Sequence, residues 1–174
     1  GDDTIALEAV GQFAGLLDGG EGIDELNLAG FPSDTGLYIV LGGPQRLGFE
    51  RVFGSEGNEC LTGSNLAETL IGNGSGDSFA AGGGNDVNQG GTGGDFHYGE
   101  EGDDTLKGGA DNDYMAGGNG TDEASYAADT IGVRVDLAAG TASGGEAQGD
   151  TLAGDYENLR GGSGADTLTG NGLA

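Results

Sequence analysis

The sequence predicts an all-β fold: a right-handed parallel β-solenoid, or β-roll, built from nine-residue units. Three observations predict it. From Gly54 to Ser125 the chain divides without a gap into eight nonapeptides, and a short fixed period is the mark of a solenoid. Glycine supplies 42 of the 174 residues. Each interior Gly costs about 1 kcal/mol relative to Ala in a helix, so helix-rich folds are excluded. Asp and Glu number 30 against 5 Lys and Arg, a net charge of −25, and the acids recur at one position of the period.

The eight units read GSEGNECLT, GSNLAETLI, GNGSGDSFA, AGGGNDVNQ, GGTGGDFHY, GEEGDDTLK, GGADNDYMA and GGNGTDEAS. Seven begin with Gly and six carry Asp at position six; Glu59 and Glu68 stand there in the other two. Isolated units recur at Gly19 (GGEGIDELN, with Asp24), Gly145 (GEAQGDTLA, with Asp150) and Gly161 (GGSGADTLT, with Asp166). The first residues, GDDTIA, fit positions four to nine of another unit, and the last five, GNGLA, begin one more.

Each unit has two parts. Its first six residues are turn chemistry, because glycine permits positive φ and close backbone approach. Its last three, x-U-x, suit a short strand with the middle side chain inward. Two units make one coil of 18 residues with a turn on each side, and stacked coils pair their strands in parallel about 4.8 Å apart. One side then carries Glu59, Asp77, Asp95 and Asp113, and the other Glu68, Asp86, Asp104 and Asp122. Stacked acidic turns repel without a counter-ion, and two such turns offer the all-oxygen cage that a hard cation such as Ca²⁺ prefers.

The G-G-x-G-x-D-x-U-x pattern resembles the nonapeptide of the RTX family, the haemolysin-type calcium-binding repeat. The resemblance implies that each Ca²⁺ takes the position-six carboxylates of two turns 18 residues apart, with turn carbonyls. Carried over, the pairs are Asp77 with Asp95, Asp95 with Asp113, Asp86 with Asp104, and Asp104 with Asp122. Glu59 with Asp77 and Glu68 with Asp86 make weaker end sites, Glu being one methylene longer. Asp24, Asp150 and Asp166 are position-six ligands of the isolated units. Carbonyl donors are expected from turn positions such as Gly74, Gly83, Gly91, Gly93 and Gly109. The resemblance further implies type I secretion from a Gram-negative cell, an extracellular or cell-surface location, and folding at millimolar calcium.

Position eight is aliphatic or aromatic except at Asn88 and His97, in adjacent units. Three readings stand: a metal or proton-transfer site on the lone histidine, a hydrogen-bonded pair inside the roll, or a locally flipped strand with Phe96 and Tyr98 inward. Without the flip, Phe96, Tyr98 and Tyr114 face outward, either as a partner surface or beneath a neighbouring segment. Cys60 takes an outward position as an incidental thiol. Tyr38, Tyr126 and Tyr156 read as packing residues.

The chain thus divides into 1–53, partial repeats with a β insert (28–53); 54–125, the eight-unit block; and 126–174, a second β insert with returning repeats, all one continuous solenoid. FERVFGSEGNECLTG and YENLRGGSGADTLTG align directly, which indicates an internal duplication. Segments like SYA, GVRVDL, GDTL and YENLR resemble stretches of bacterial RTX proteins of several kinds.

The remaining chemistry narrows the function. A charge of −25 argues against nucleic acid and anionic membranes. No apolar run approaches the roughly 20 residues of a spanning helix, and no signal peptide is visible at the N-terminus. One Cys makes neither an internal disulfide nor a structural zinc site. HExxH and GxSxG are absent, so no enzyme activity is expected. Because both ends fall inside repeat units, they read as cuts in a longer solenoid or as faces that stack end to end into a filament or surface layer. The alternatives are an accessory module of an extracellular enzyme and a calcium-dependent glycan-binding segment. At 34% hydrophobic the chain is short of core, and the calcium-free form is expected to be disordered.

Overall fold

The x-U-x tripeptides become the strands. A computed structural model of the chain describes residues 1–7, 19–34, 36–41 and 48–172. Part of the first insert (42–47) and the last two residues of GNGLA lie outside them. The described residues hold 17 short strands, numbered in chain order, and a single 3₁₀ turn at Gly145–Ala147.

One sheet contains β1 (Thr4–Ala6), β2 (Glu25–Asn27), β4 (Arg51–Phe53), β6 (Thr69–Gly74), β8 (Val87–Thr92), β10 (Thr105–Ala110), β12 (Glu123–Ser125) and β16 (Asn158–Arg160), hydrogen-bonded in that order. The facing sheet contains β3 (Leu37–Val40), β5 (Glu59–Thr62), β7 (Ser78–Ala80), β9 (Phe96–Glu101), β11 (Tyr114–Asn119), β15 (Thr151–Leu152), β14 (Thr141–Ser143), β13 (Arg134–Asp136) and β17 (Thr167–Thr169). Through the repeat block every pairing is parallel with a step of 18 residues, as in Thr69↔Val87↔Thr105 and Ser78↔Phe96↔Tyr114. This is a parallel β-solenoid, as the period predicts.

The two inserts behave differently. The first stays in the coil: β3 joins one sheet beside β5 and β4 joins the other between β2 and β6, all in parallel. The second leaves the simple coil, because β14 pairs antiparallel with both β13 and β15. Asp129 organises that excursion. Its Oδ1 accepts the N–H groups of Ile131 (2.7 Å) and Gly132 (2.9 Å), and its Oδ2 accepts that of Glu146 (2.6 Å).

Position eight points inward throughout: Leu61, Leu70, Phe79, Asn88, His97, Leu106, Met115 and Ala124 are all buried. This removes the flipped-strand reading. Phe96 (52% exposed) and Tyr98 (41%) face solvent, because the pleat's alternation continues unbroken through β9. The hydrogen-bonded-pair reading also fails, since neither ring nitrogen of His97 and neither amide atom of Asn88 has a hydrogen-bond partner. Tyr126 and Tyr156 are buried packing residues as expected. Tyr38 is not: it is 72% exposed, because it pairs in register with the outward Cys60.

Candidate metal centres

The turn before each strand delivers its position-six carboxylate into the roll, and each does two separate things. Its Oδ1 accepts a backbone N–H from the preceding coil, where the donor is itself a position-six residue. The bonds run Glu59 N to Asp77 (2.7 Å), Asp77 N to Asp95 (2.7 Å) and Asp95 N to Asp113 (2.9 Å) on one side. On the other they run Glu68 N to Asp86 (2.7 Å), Asp86 N to Asp104 (2.8 Å) and Asp104 N to Asp122 (2.9 Å). The structure therefore brings together each aspartate pair drawn from the sequence.

The second oxygen is different. Oδ2 of Asp24, Asp77, Asp86, Asp95, Asp104, Asp113 and Asp122 is buried with no hydrogen-bond partner. A buried ionised oxygen without a partner is strongly unfavourable, so these oxygens mark places suited to a cation. Burial accordingly pushes six of them up: Asp95 to about 8, Asp77, Asp86 and Asp113 to about 7, Asp122 to about 6, and Asp104 in the same direction.

Main-chain oxygens crowd the same places. A Cβ added to Gly72 would collide with Asp77 Oδ2 and lie 2.8 Å from the Gly90 carbonyl. One added to Gly90 would collide with Asp95 Oδ2 and lie 2.5 Å from the Gly108 carbonyl. At Gly54, Gly63, Gly72, Gly90 and Gly99 the space that a side chain would fill thus lies between a carboxylate oxygen and a carbonyl of the next coil, whereas the fourth unit has Ala81 at position one. Sequence reasoning nominated Gly74, Gly83, Gly91, Gly93 and Gly109 as carbonyl donors. Carbonyls at position one, of Gly90, Gly108 and Gly117, face the same Cβ space as the Oδ2 atoms of Asp77, Asp95 and Asp104. Of the nominated set, the Gly91 carbonyl would collide with a Cβ added at Gly109.

Among the described residues no three His, Cys, Asp or Glu side chains converge on one point. Each place instead offers carboxylate oxygen with carbonyl oxygen, the hard donor set that suits Ca²⁺ and not a soft metal. The residues present fit the ion.

The end positions depart from this pattern for identifiable reasons. The extra methylene of Glu59 lets its carboxylate fold back onto its own turn, taking Ser55 N (3.1 Å) and Ser55 Oγ (2.6 Å). Glu68 does the same with Ser64 N (3.2 Å) and Ser64 Oγ. Asp150 joins the ladder by accepting Asp113 N (3.0 Å), but Tyr126 OH donates to its other oxygen at 2.9 Å. Asp166 stands apart and accepts Val133 N (2.9 Å). Sequence reasoning missed Glu50 and Glu157, which accept the N–H groups of Asp24 (2.8 Å) and Asp122 (3.0 Å). Both immediately precede an x-U-x strand, RVF and NLR, and that was the available signal.

Two other surface features lie apart from the carboxylates. Phe96, Tyr98 and Tyr114 form a ladder of rings with centroid separations of 6.3 and 5.7 Å. A cleft of about 540 Å³ opens between the outer face of β8 and β10 and the second insert, with Lys107 and Glu146 in its lining.

No curated protein matches the chain. The family model described as the RTX calcium-binding nonapeptide repeat (4 copies) matches residues 89–124 and 157–172. Those residues carry Asp95, Asp104, Asp113 and Asp122, the heart of both carboxylate ladders, so motif, fold and donor geometry agree that this part of the chain is built of RTX calcium-binding nonapeptide repeats.

Proposed function

We propose that this chain is a calcium-dependent structural module of a secreted or cell-surface bacterial protein, folding when calcium binds. The observation that carries the reading is the row of buried, unpartnered Oδ2 atoms at Asp77, Asp86, Asp95, Asp104, Asp113 and Asp122. When bound, Ca²⁺ supplies positive charge and accepts carboxylate and carbonyl oxygen between turns. Every other part of the mechanism belongs to the chain. Its glycines have high conformational freedom to lose on folding, and its aspartates repel one another when stacked. Its hydrophobic complement is small. Calcium-free, these costs keep the coils open; ligation of the folded form alone then contributes directly to stability. A cell interior poor in calcium would hold the chain in a secretable state, and an exterior rich in it would fold the chain after export.

The test is circular dichroism of the whole chain during calcium titration, with bound calcium counted in parallel. A gain of β signal in step with bound calcium is expected. Unchanged β content in excess chelator overturns the reading.

A second, compatible reading concerns self-association. The exposed rings of Phe96 and Tyr98 support contact between copies through this face, which sedimentation of Tyr98→Ser beside the parent chain tests. An unaltered mass distribution removes it.

A further inference from the structure

The repeats end at Gly54 on the N-terminal side of the block, yet the same donor arrangement reappears across the first insert. We infer that Asp24, the Gly48 carbonyl and Glu50 form an additional calcium site, closed by a coil longer than the nonapeptide pattern encodes. This rests on the calcium reading proposed above, and assigns Glu50 a role the motif does not give it.

The geometry parallels a repeat site, with the carbonyl two residues before the acid in place of five. In the repeat, Asp77 Oδ2 is orphaned, its space is left open by Gly72, the Gly90 carbonyl abuts that space, and Asp77 N donates to Asp95. In the insert, Asp24 is fully buried and its Oδ2 has no hydrogen-bond partner, while Oδ1 accepts Asp3 N at 2.7 Å. A Cβ on Gly19 would collide with the Gly48 carbonyl and lie 2.9 Å from Asp24 Cγ. Asp24 N donates to Glu50 Oε2 at 2.8 Å, across 26 residues instead of 18.

The fold explains how a non-repeat segment reaches this place. Glu25, Leu26 and Asn27 pair in register with Arg51, Val52 and Phe53, which sets Asp24 opposite Glu50. Phe49 and Val52 are buried on either side of Glu50 and anchor the segment. The backbone N–H groups of Glu50 and Arg51 both donate to the Asp24 carbonyl at 3.1 Å. The donors therefore meet across 26 residues in place of 18.

The experiment counts calcium bound at saturation by equilibrium dialysis of the whole chain. It compares the parent, Glu50→Gln, Asp24→Asn and the exposed control Asp34→Asn. Glutamine retains an oxygen to accept the Asp24 N–H, so the hydrogen bond survives while the ionic ligand is lost. The inference expects Glu50→Gln and Asp24→Asn each to bind one ion fewer than the parent, and Asp34→Asn to match it. A Glu50→Gln count equal to the parent's overturns the site while leaving the repeat sites standing. A parent that binds no calcium overturns the general reading and this one together. If Glu50→Gln loses its β signal, ¹³C carboxylate resonances of the parent decide the matter. Joint movement of Asp24 and Glu50 on calcium addition supports the shared ion, and a stationary Glu50 overturns it.

Discussion

The backbone N–H of Asp77 donates to Oδ1 of Asp95 at 2.7 Å, while Oδ2 of the same Asp95 is buried with no partner. One carboxylate therefore combines a structural acceptor with a buried oxygen that is a candidate metal ligand. Asp95→Asn separates the two roles, because its amide oxygen can still accept the N–H. Asp95 lies between Asp77 and Asp113 in the ladder, so about one to two ions should be lost, with the calcium-dependent β signal moved to higher calcium. Asp95→Ala should add the loss of a charge-assisted hydrogen bond, about 1.5–3 kcal/mol. Calcium counting with chemical unfolding at saturating calcium measures both, and equal effects of the two variants would contradict the division of labour.

Position-one glycines should matter for a steric reason. Gly108 lacks a positive φ, so its backbone tolerates alanine, but a Cβ there would collide with Asp113 Oδ2. Gly108→Ala should weaken calcium binding at Asp113 and cost roughly 1–3 kcal/mol in the loaded state, as overpacking does. Gly154, whose Cβ would meet nothing within 4 Å, is the control. Calcium titrations of the two variants check the contrast; equal behaviour would show that the glycine space is not part of the site.

What the sequence revealed, and what it hid, follows the same logic. The period set strand order, register and the inward position, because an 18-residue coil leaves no freedom in which aspartates stack. Glu50 and Glu157 escaped notice because the five residues before each, QRLGF and LAGDY, depart from glycine-rich turn chemistry, and only their strand tails keep the pattern. The engagement of Glu59 with Ser55, and of Glu68 with Ser64, depended on side-chain reach within one turn. His97 was ambiguous because a polar residue at an inward position contradicts its local pattern. The parallel ladders on both sides of β9 decided the orientation, and those are long-range contacts.

The pH response of the calcium-free chain has a defined sign. Burial pushes Asp95 up to about 8 and Asp77, Asp86 and Asp113 up to about 7, whereas an unfolded Asp ionises near pH 4 (about 3.9). The folded form therefore retains protons that the unfolded form releases as pH rises. Stability from these groups is fully present below the unfolded value and is lost as pH climbs through about 7 to 8. His97 acts oppositely, since burial lowers it to about 3 and an unfolded imidazole takes up a proton below about pH 6.5. Several carboxyls outweigh one imidazole, so calcium-free β signal should be greater near pH 5 than near pH 8. Saturating calcium should remove that difference, and binding near pH 7 should release protons. Circular dichroism across pH with calorimetry in two buffers of different ionisation enthalpy checks both, and a calcium-free β signal that grows toward pH 8 would reverse the assigned sign.

The polar coil formed by residues 81–98 should divide the solenoid's stability. Asn88 stands in register between Leu70 and Leu106, and His97 between Phe79 and Met115, with the Phe79 and His97 rings stacked at 4.6 Å. The buried hydrophobic residues form one cluster ending at Leu70 and Phe79 and another beginning at Leu106 and Met115. Between them lie two fully buried polar side chains with no hydrogen-bond partners. An unsatisfied buried polar group costs about 1–3 kcal/mol, so Asn88→Leu should stabilise the calcium-loaded chain by about that amount. His97→Phe should stabilise it less, because the ring already stacks. Solenoid stability is approximately a sum of repeat and nearest-neighbour terms, so a weak coil in the middle favours opening on either side of it. Native-state hydrogen exchange should resolve two protection groups with their boundary near residues 81–98, and Asn88→Leu with His97→Phe should merge them. A single protection level in the parent chain, with no gain from Asn88→Leu, would show that the two clusters already act as one.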